Sequence, residues 1–352
     1  MKFMRAFLLI AVIITSILLG CEPEDEEMIQ SNSSSTTQLD STNQDTTTVD
    51  TTVVDTTGQD TTIIDTTHQD TTVINPTDSV VYVIDSTFNF SNQDDINSFI
   101  SNNTWIEKNA PLNNNSRFIL LEEFTGHTNV FSPIGSQEAV RLDSIYGEQL
   151  IPVSIHAGPF ARPQASPSGK YTTDFRVEGG HGEVFLNTFN VNSYPSGLVN
   201  RKNKQAVSSS NWTQLVSDYA NDNPIVSLDL TTFYSANVNT VRAQVDIEWL
   251  SSTVSSQHNL SVFLVEDHIL DWQKSGTQDI EFYNHRNVLR KVVDRTFGKP
   301  LKSPNVGDKE SIQFITTVKP NWNASNLKVV AFIFDDNPST YEVIQANSSH
   351  IK

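Results

Sequence analysis

The sequence predicts an α/β domain followed by an all-β domain, with a disordered linker in front of both. Three patterns in the 352 residues lead to this fold class. An apolar run, a helical spacing of apolar residues and a second apolar run follow one another between residues 118 and 156. Apolar and polar residues alternate from residue 225 onward, which is the period of a β-strand. Residues 28–79 are rich in Thr, Ser, Asp, Asn and Gln, a composition typical of disorder.

The first 20 residues have the pattern of a secretion signal. Lys2 and Arg5 precede an apolar run over 7–19 that is too short for a membrane-spanning helix. The run ends in Leu18-Leu19-Gly20-Cys21, which resembles a bacterial lipobox, where cleavage precedes the cysteine. We therefore predict a lipoprotein signal peptide over 1–20 and acyl chains such as palmitate on Cys21, which anchor the protein in a membrane. The alternative is an ordinary secretory signal.

Cysteine usage restricts the chemistry of the whole chain. Cys21 is the single cysteine, so the sequence excludes intramolecular disulfides, Cys-x-x-Cys redox cycling and thiolate metal sites. The acidic run that follows, residues 22–27, resembles an export signal of Bacteroidetes lipoproteins bound for the outer face of the outer membrane. A solvated acidic spacer is the alternative interpretation.

The predicted linker, residues 21–79, is an acidic repeat. Asp-Thr-Thr recurs every five residues from residue 45 to residue 70, a period that matches neither a strand nor a helix. Residues 22–107 hold 17 of the 41 acidic residues and none of the 23 basic ones. The remainder is nearly neutral, and neither part offers the basic face that nucleic-acid binding requires.

The repeat also resembles an O-glycosylation signal of Bacteroidetes, in which Asp precedes Ser or Thr. A bare polar spacer is the alternative. The candidate acceptors on this reading are Ser41, Thr46, Thr51, Thr56, Thr61, Thr66, Thr71 and Ser86.

The α/β prediction begins with a strand, a helix and a second strand. Residues 118–121 are continuously apolar, as in a strand buried on both faces. Ala139 and Leu142 belong to a helical apolar stripe, and residues 151–156 form the second apolar run. Two parallel strands with a helical crossover fit this order.

Three motifs in this region resemble the outer-membrane protein 28-related lipoproteins of Bacteroidetes. They are Glu-Phe-Thr-Gly-His-Thr at 123–128, Pro-Val-Ser-Ile-His-Ala-Gly at 152–158 and Tyr-Pro-Ser-Gly at 194–197. The resemblance extends over roughly residues 115–350. It implies a thioredoxin-like domain with a C-terminal β-sandwich.

In that family a Cys-x-x-Cys-Pro redox motif follows the Gly-His pair. This chain has Asn129 and Ser132 at the two cysteine positions and retains Pro133. The resemblance further implies a cis proline at Pro195, facing the motif loop. Thiol–disulfide exchange requires a thiolate, so these degenerate motif positions predict a redox-inactive domain.

The all-β prediction rests on several short alternating strands, for example over 241–249, and this spacing favours an immunoglobulin-like sandwich. We place the thioredoxin-like domain, with an N-terminal lead-in, at 80–223 and the β-sandwich at 224–352. The segment 281–299 is predicted to pack across their junction.

Two functions remain open on the sequence. The first is a surface-exposed outer-membrane lipoprotein that acts as a binding, adhesion or structural module and has no catalytic residue. The second is a hydrolase or metal-dependent enzyme that uses cleft residues His127, Ser132 and His156, although no nucleophile elbow accompanies the serine. His181 and Glu183 lack a metal-ligand spacing, so we predict neither a metal nor a cofactor.

The predicted partners follow from this placement. They are the membrane, through the lipid on Cys21, and an unknown protein or glycan ligand at the cell surface. A homo-oligomer is compatible with the sequence, and nucleic acid is not a predicted partner.

Overall fold

The computed structural model describes residues 61–64, 71–75 and 80–352, except 166, 254, 256, 303 and 304. In this part of the chain the helices are α1 Gln93–Ser101, α2 Ser132–Tyr146, α3 His181–Thr188 and α4 Trp212–Tyr219. The strands are β1 Thr61–Ile64, β2 Thr71–Asn75, β3 Val80–Asp85, β4 Ile106–Asn109, β5 Ile119–Thr125, β6 Leu150–His156, β7 Ser196–Val199, β8 Val207–Ser208, β9 Val226–Ser235, β10 Thr240–Trp249, β11 His258–Glu266, β12 Ile269–Ser275, β13 Gln278–His285, β14 Val288–Val292, β15 Lys299–Pro300, β16 Lys309–Thr317, β17 Leu327–Asp335 and β18 Val343–His350.

The fold is mostly β, with mixed sheets and few helices. One sheet has seven strands in the order β1-β2-β3-β16-β10-β9-β4. Only the β3–β16 pair in this sheet is parallel. The lead-in strands β3 and β4 thus pair with strands beyond residue 224, and the lead-in completes that sheet instead of the α/β strands.

The second sheet runs in the order β18-β17-β11-β14-β6-β5-β7-β8, with β15 paired to β11. The predicted strand–helix–strand unit forms part of it, because β5 and β6 are parallel and α2 connects them. Strand β14 pairs with β6 on one side and with β11 on the other. One sheet therefore crosses the predicted domain boundary at residue 223.

Strand β11 shows how the two sheets share the core. All nine of its residues are buried. Leu260 and Val262 belong to the core between the two sheets, whereas Phe263 belongs to the core beneath α3. Successive side chains of a strand point to opposite faces, so one strand fills both cores. A third core packs α2 and α4 against β5 through residues such as Leu142 and Trp212.

Two short segments of the predicted linker, residues 61–64 and 71–75, form strands. We expected disorder up to residue 79, but β1 and β2 pair with each other, and β2 pairs with β3, which extends the seven-stranded sheet. Thr-Thr-Ile-Ile and Thr-Thr-Val-Ile are β-branched sequences that suit strands, and the edge of β3 provides the backbone partners. No helix within the described residues has both the length and the apolar character to cross a membrane.

Candidate functional site

The candidate site is the loop between β5 and α2, residues 126–131, which we call the motif loop. Asn129 Oδ1 accepts hydrogen bonds from the backbone amides of Phe131 and Ser132, at 2.9 Å each. These amides lie at the start of α2, where helical amides have no partner inside the helix. The side chain of Asn129 therefore caps the helix, and it occupies the first of the two degenerate motif positions.

The second degenerate position is Ser132, the first residue of α2. Its Oγ accepts a hydrogen bond from the Gly126 amide at 3.3 Å and lies 3.4 Å from Asn129 Oδ1. Neither group is a base that could activate a serine nucleophile. Ser132 is 1% exposed, so its hydroxyl ties the motif loop to the helix and does not face a substrate.

The β12–β13 hairpin closes the motif loop from outside. The Lys274 amide donates to the carbonyl of His127 at 2.9 Å, and the Gly276 amide donates to the carbonyl of Val130 at 3.1 Å. The buried Gln273 side chain adds a third contact, from Nε2 to the carbonyl of Asn129 at 3.0 Å. Three carbonyl groups of the motif loop thus accept hydrogen bonds from a hairpin that is distant in sequence.

Three histidines surround the Phe175 ring next to the motif loop. Ring centroids of His127, His156 and His285 lie 5.6, 4.9 and 4.7 Å from that of Phe175. Burial lowers the pKa of all three, to about 4 for His285 and well below the usual value for His156. At neutral pH these rings are therefore uncharged and act as aromatic core.

The predicted cleft residues His127 and His156 come together here, but in a filled interior. His127 Nε2 lies 3.1 Å from the carbonyl of Arg162, so the neutral ring carries its proton on Nε2. The Nδ1 atoms of His127 and His156 are buried without a hydrogen-bond partner. Among the described residues no group of three or more His, Asp or Glu is arranged to hold a metal ion.

Sequence reasoning missed Phe175 and His285 as members of this cluster. Both lie far along the chain from the motif loop, and neither belongs to a spacing that points to it. His285 belongs to the segment 281–299, which the sequence predicts to pack across the domain junction. That prediction is the one signal in the sequence that could have placed His285 near the motif loop.

Pro195 lies against the first turns of α2, and its peptide bond with Tyr194 is cis. A Cβ atom on Gly135 would lie 2.5 Å from Pro195 Cβ and 2.9 Å from Glu123 Oε1. Only glycine therefore allows α2 to approach both groups this closely.

Glu123 is a carboxyl group in the interior beneath α2. It accepts hydrogen bonds from the hydroxyls of Ser136 at 3.0 Å and Ser154 at 3.1 Å. Burial raises the pKa of Glu123 from 4.5 to about 7, although the hydrogen bonds from the two hydroxyls lower it. The carboxyl is therefore largely protonated at mildly acidic pH.

We predict that Glu123 makes the protein less stable as the pH rises from about 5 to about 7. The Glu123 carboxyl binds a proton more tightly in the folded state than in the unfolded state. Its contribution to the free energy of unfolding is therefore complete at low pH and is lost as the pH rises through the pKa of the folded state. With 1.36 kcal/mol per pKa unit, the loss of stability between pH 5 and pH 7 is about 2 kcal/mol, because half of the folded carboxyl is still protonated at pH 7. Urea unfolding of wild type and Glu123→Gln at both pH values measures it.

Glu148→Gln, at an exposed position, is the matched control, because it should keep the wild-type pH dependence. An equal pH dependence in wild type and Glu123→Gln would show that the buried carboxyl contributes nothing to it.

The remaining predicted site residues lie away from this cluster or outside the described residues. Ser86 is exposed in the turn after β3, and Thr61 and Thr71 are the first residues of β1 and β2. Those outside the described residues are Cys21, Ser41, Thr46, Thr51, Thr56 and Thr66.

The family described as outer membrane protein Omp28 matches residues 183–352. HBP35 of Porphyromonas gingivalis has a similar structure, with a TM-score of 0.53 at 14% identity, over 67% of this chain and 76% of that chain.

A domain of the outer membrane lipoprotein Omp28 from the same organism aligns at 17% identity with a TM-score of 0.27. That alignment covers 37% of this chain and 91% of that chain. No curated protein matches the sequence. Residues 183–352, slightly under half of the chain, are thus similar to the Omp28 outer membrane proteins, which agrees with the resemblance and with localisation at the outer membrane.

Proposed function

We propose that this outer membrane protein is a binding module without redox activity. The observation that carries the proposal is the closed motif loop, in which Asn129 and Ser132 serve as helix cap and loop tie beneath the β12–β13 hairpin. A thiol oxidoreductase presents its motif to a partner disulfide, because attack on sulfur requires access. Here the same positions hold no thiol and are buried.

A thioredoxin-like origin of the α/β part supports this interpretation. Parallel β5 and β6 joined by α2, the antiparallel β7–β8 pair and the cis Pro195 beside α2 are the features that favour it. The two sheets that face each other across a shared core favour an immunoglobulin-like arrangement for the later strands. On this proposal the scaffold has been kept while its chemistry has been lost.

The proposed setting is the cell surface. Lipid on Cys21 would hold the chain in the outer membrane, the acidic residues 22–27 would direct it to the outer face, and the Asp-Thr-Thr repeat would form a glycosylated stalk. These elements remain predictions from the sequence.

The β12–β13 hairpin is the candidate binding surface. Leu270 is 62% and Phe282 is 73% exposed. Leu270 pairs with Asn284, two residues from Phe282, so both side chains project from the same face of the hairpin. Two large apolar side chains exposed to solvent on one face favour a protein partner, because their burial in an interface stabilises a complex.

We predict that Leu270→Ser/Phe282→Ser in the full chain reduces capture of cell-surface proteins at least about tenfold. Each buried side chain of this size contributes roughly 1.5–3 kcal/mol, and 1.4 kcal/mol is a factor of ten. Quantitative mass spectrometry after pull-down from outer-membrane extracts measures the change.

Val306→Ser is the matched control, since Val306 is 60% exposed on a loop outside the hairpin. Equal capture by all three proteins would remove the hairpin from the proposal. Insulin reduction by the wild-type chain above the uncatalysed rate would instead overturn the redox-inactive assignment.

A further inference from the structure

A solvent-open cavity lies beside the C-terminal end of α2. Its volume is about 670 Å³, and it opens to solvent between α2, the turn after β13, and strands β17 and β18. Its polar lining includes Asp143, Asp267, Arg286, Asn287, Lys328 and His350. The binding function proposed above makes no use of it.

The amine of Lys328 is the unusual group in this cavity. Its Nζ donates to Asn287 Oδ1 at 2.8 Å, and this acceptor is a neutral amide. No ion pair among the described residues includes Lys328. The ammonium is therefore held in place without a carboxylate in direct contact.

The nearby carboxylate of Asp267 is already occupied. Arg286 donates to it from Nε at 2.6 Å and from a terminal nitrogen at 2.9 Å. The backbone amides of His268 and Asn287 also donate to Asp267 Oδ1, at 2.9 and 3.1 Å. Four donors occupy this carboxylate, so its charge acts on Lys328 without a hydrogen bond between the two side chains.

The surroundings of Lys328 increase the share of its neutral amine form. Burial lowers its pKa to about 8, the charges of Asp267 and Asp143 raise it, and Arg286 lowers it further. Burial also raises the pKa of Asp143, which lines the same cavity. Lys108, Glu148 and His350 are further titratable groups around the opening. At pH 7 roughly a tenth of this amine is therefore neutral and carries a free electron pair, as nucleophilic lysines do.

We propose that Lys328 is a nucleophilic amine that captures the carbonyl group of a small polar aldehyde or ketone in this cavity. Nζ forms a bond to the carbonyl carbon, and the resulting carbinolamine loses water to leave an imine. The two protons of the neutral amine leave with the carbonyl oxygen as water, and no oxidant or reductant takes part. The Asp143 carboxyl, which lines the same cavity, is the candidate group that passes a proton to the departing oxygen and regains one from the nitrogen.

Reductive trapping tests the proposal on the full chain. The protein is incubated with pyridoxal 5′-phosphate at pH 7.5 and reduced with borohydride, and each lysine is quantified by peptide mass spectrometry. We expect Lys328 to react at least about tenfold faster than Lys309, whose side chain is 70% exposed, because burial lowers the pKa of Lys328 to about 8 and thereby raises its neutral fraction. The rate should saturate with aldehyde concentration, as binding in a cavity requires.

Two results would overturn the proposal. One is reaction of Lys328 no faster than that of Lys309, and the other is a rate that rises linearly with aldehyde concentration. Lys328→Arg keeps a cation opposite Asn287 and should lose the imine absorbance before reduction while keeping the wild-type unfolding temperature. An unchanged imine absorbance in this variant would assign the reactivity to another lysine.

Discussion

Replacing Arg201 with methionine is expected to lower the free energy of unfolding by about 3–5 kcal/mol, the range for removing one partner of a buried ion pair. Arg201 donates to both oxygens of Glu122, from Nε at 2.8 Å and from a terminal nitrogen at 2.7 Å. Both side chains are 0% exposed. Without the guanidinium, the carboxylate would remain in the interior with no opposite charge.

The surroundings of the pair increase this effect. The guanidinium carbon of Arg201 lies 4.9–5.6 Å from the ring centroids of four phenylalanines, which belong to α3, its end and β17: Phe185, Phe189, Phe332 and Phe334. These rings surround the guanidinium with apolar side chains, and they also attract the cation through their faces. Methionine fills part of the volume but replaces neither interaction.

The double variant Glu122→Leu/Arg201→Met separates charge from packing. Replacement of a whole buried ion pair by apolar residues is often neutral, so we expect it to regain most of the stability lost in the single variant. Urea unfolding of the three proteins and of Lys309→Met, an exposed control, measures the free energies. A single variant as stable as wild type would mean that solvent or another cation reaches Glu122.

Replacing Cys21 with alanine is expected to move the protein almost completely from the membrane fraction to the soluble fraction. Cys21 is the only cysteine, so no other residue can carry the thioether-linked lipid of a lipoprotein. Loss of two or three acyl chains removes the anchor as a whole, because each buried methylene contributes about 0.8 kcal/mol. Fractionation of host cells followed by immunoblotting measures the distribution.

Ser33→Ala, a substitution in the same predicted linker, is the matched control and should stay with the membrane. Retention of the Cys21→Ala protein in the membrane fraction after a high-salt wash would reject the lipid anchor. Release by the salt wash alone would point to a charge-based attachment instead.

Elements defined by local periodicity could be predicted from the sequence. The apolar runs at 118–121 and 151–156 belong to parallel β5 and β6, and the helical stripe with Ala139 and Leu142 belongs to α2. The alternation over 241–249 belongs to β10. In each of these elements the apolar pattern repeats within a few residues, so the local sequence is enough to predict the element.

Contacts between distant segments could not be predicted in the same way. The motif loop is closed by Gln273, and the histidine cluster is completed by His285. Neither residue lies near the motif loop in the sequence. The strands of the lead-in likewise joined a sheet formed by residues beyond 224, because an unpaired strand edge is completed by whichever strand the fold brings beside it.

The absence of thiol chemistry from the motif positions follows from the residue order alone, because the single cysteine is at residue 21. The role that positions 129 and 132 have instead depends on the tertiary structure, since capping by Asn129 and closure by the β12–β13 hairpin need atoms brought within about 3 Å of each other. The tertiary structure also determines that Glu123 and Lys328 have shifted pKa values. Desolvation depends on all the groups that surround a side chain in the folded protein, and the position of a residue in the sequence does not specify them.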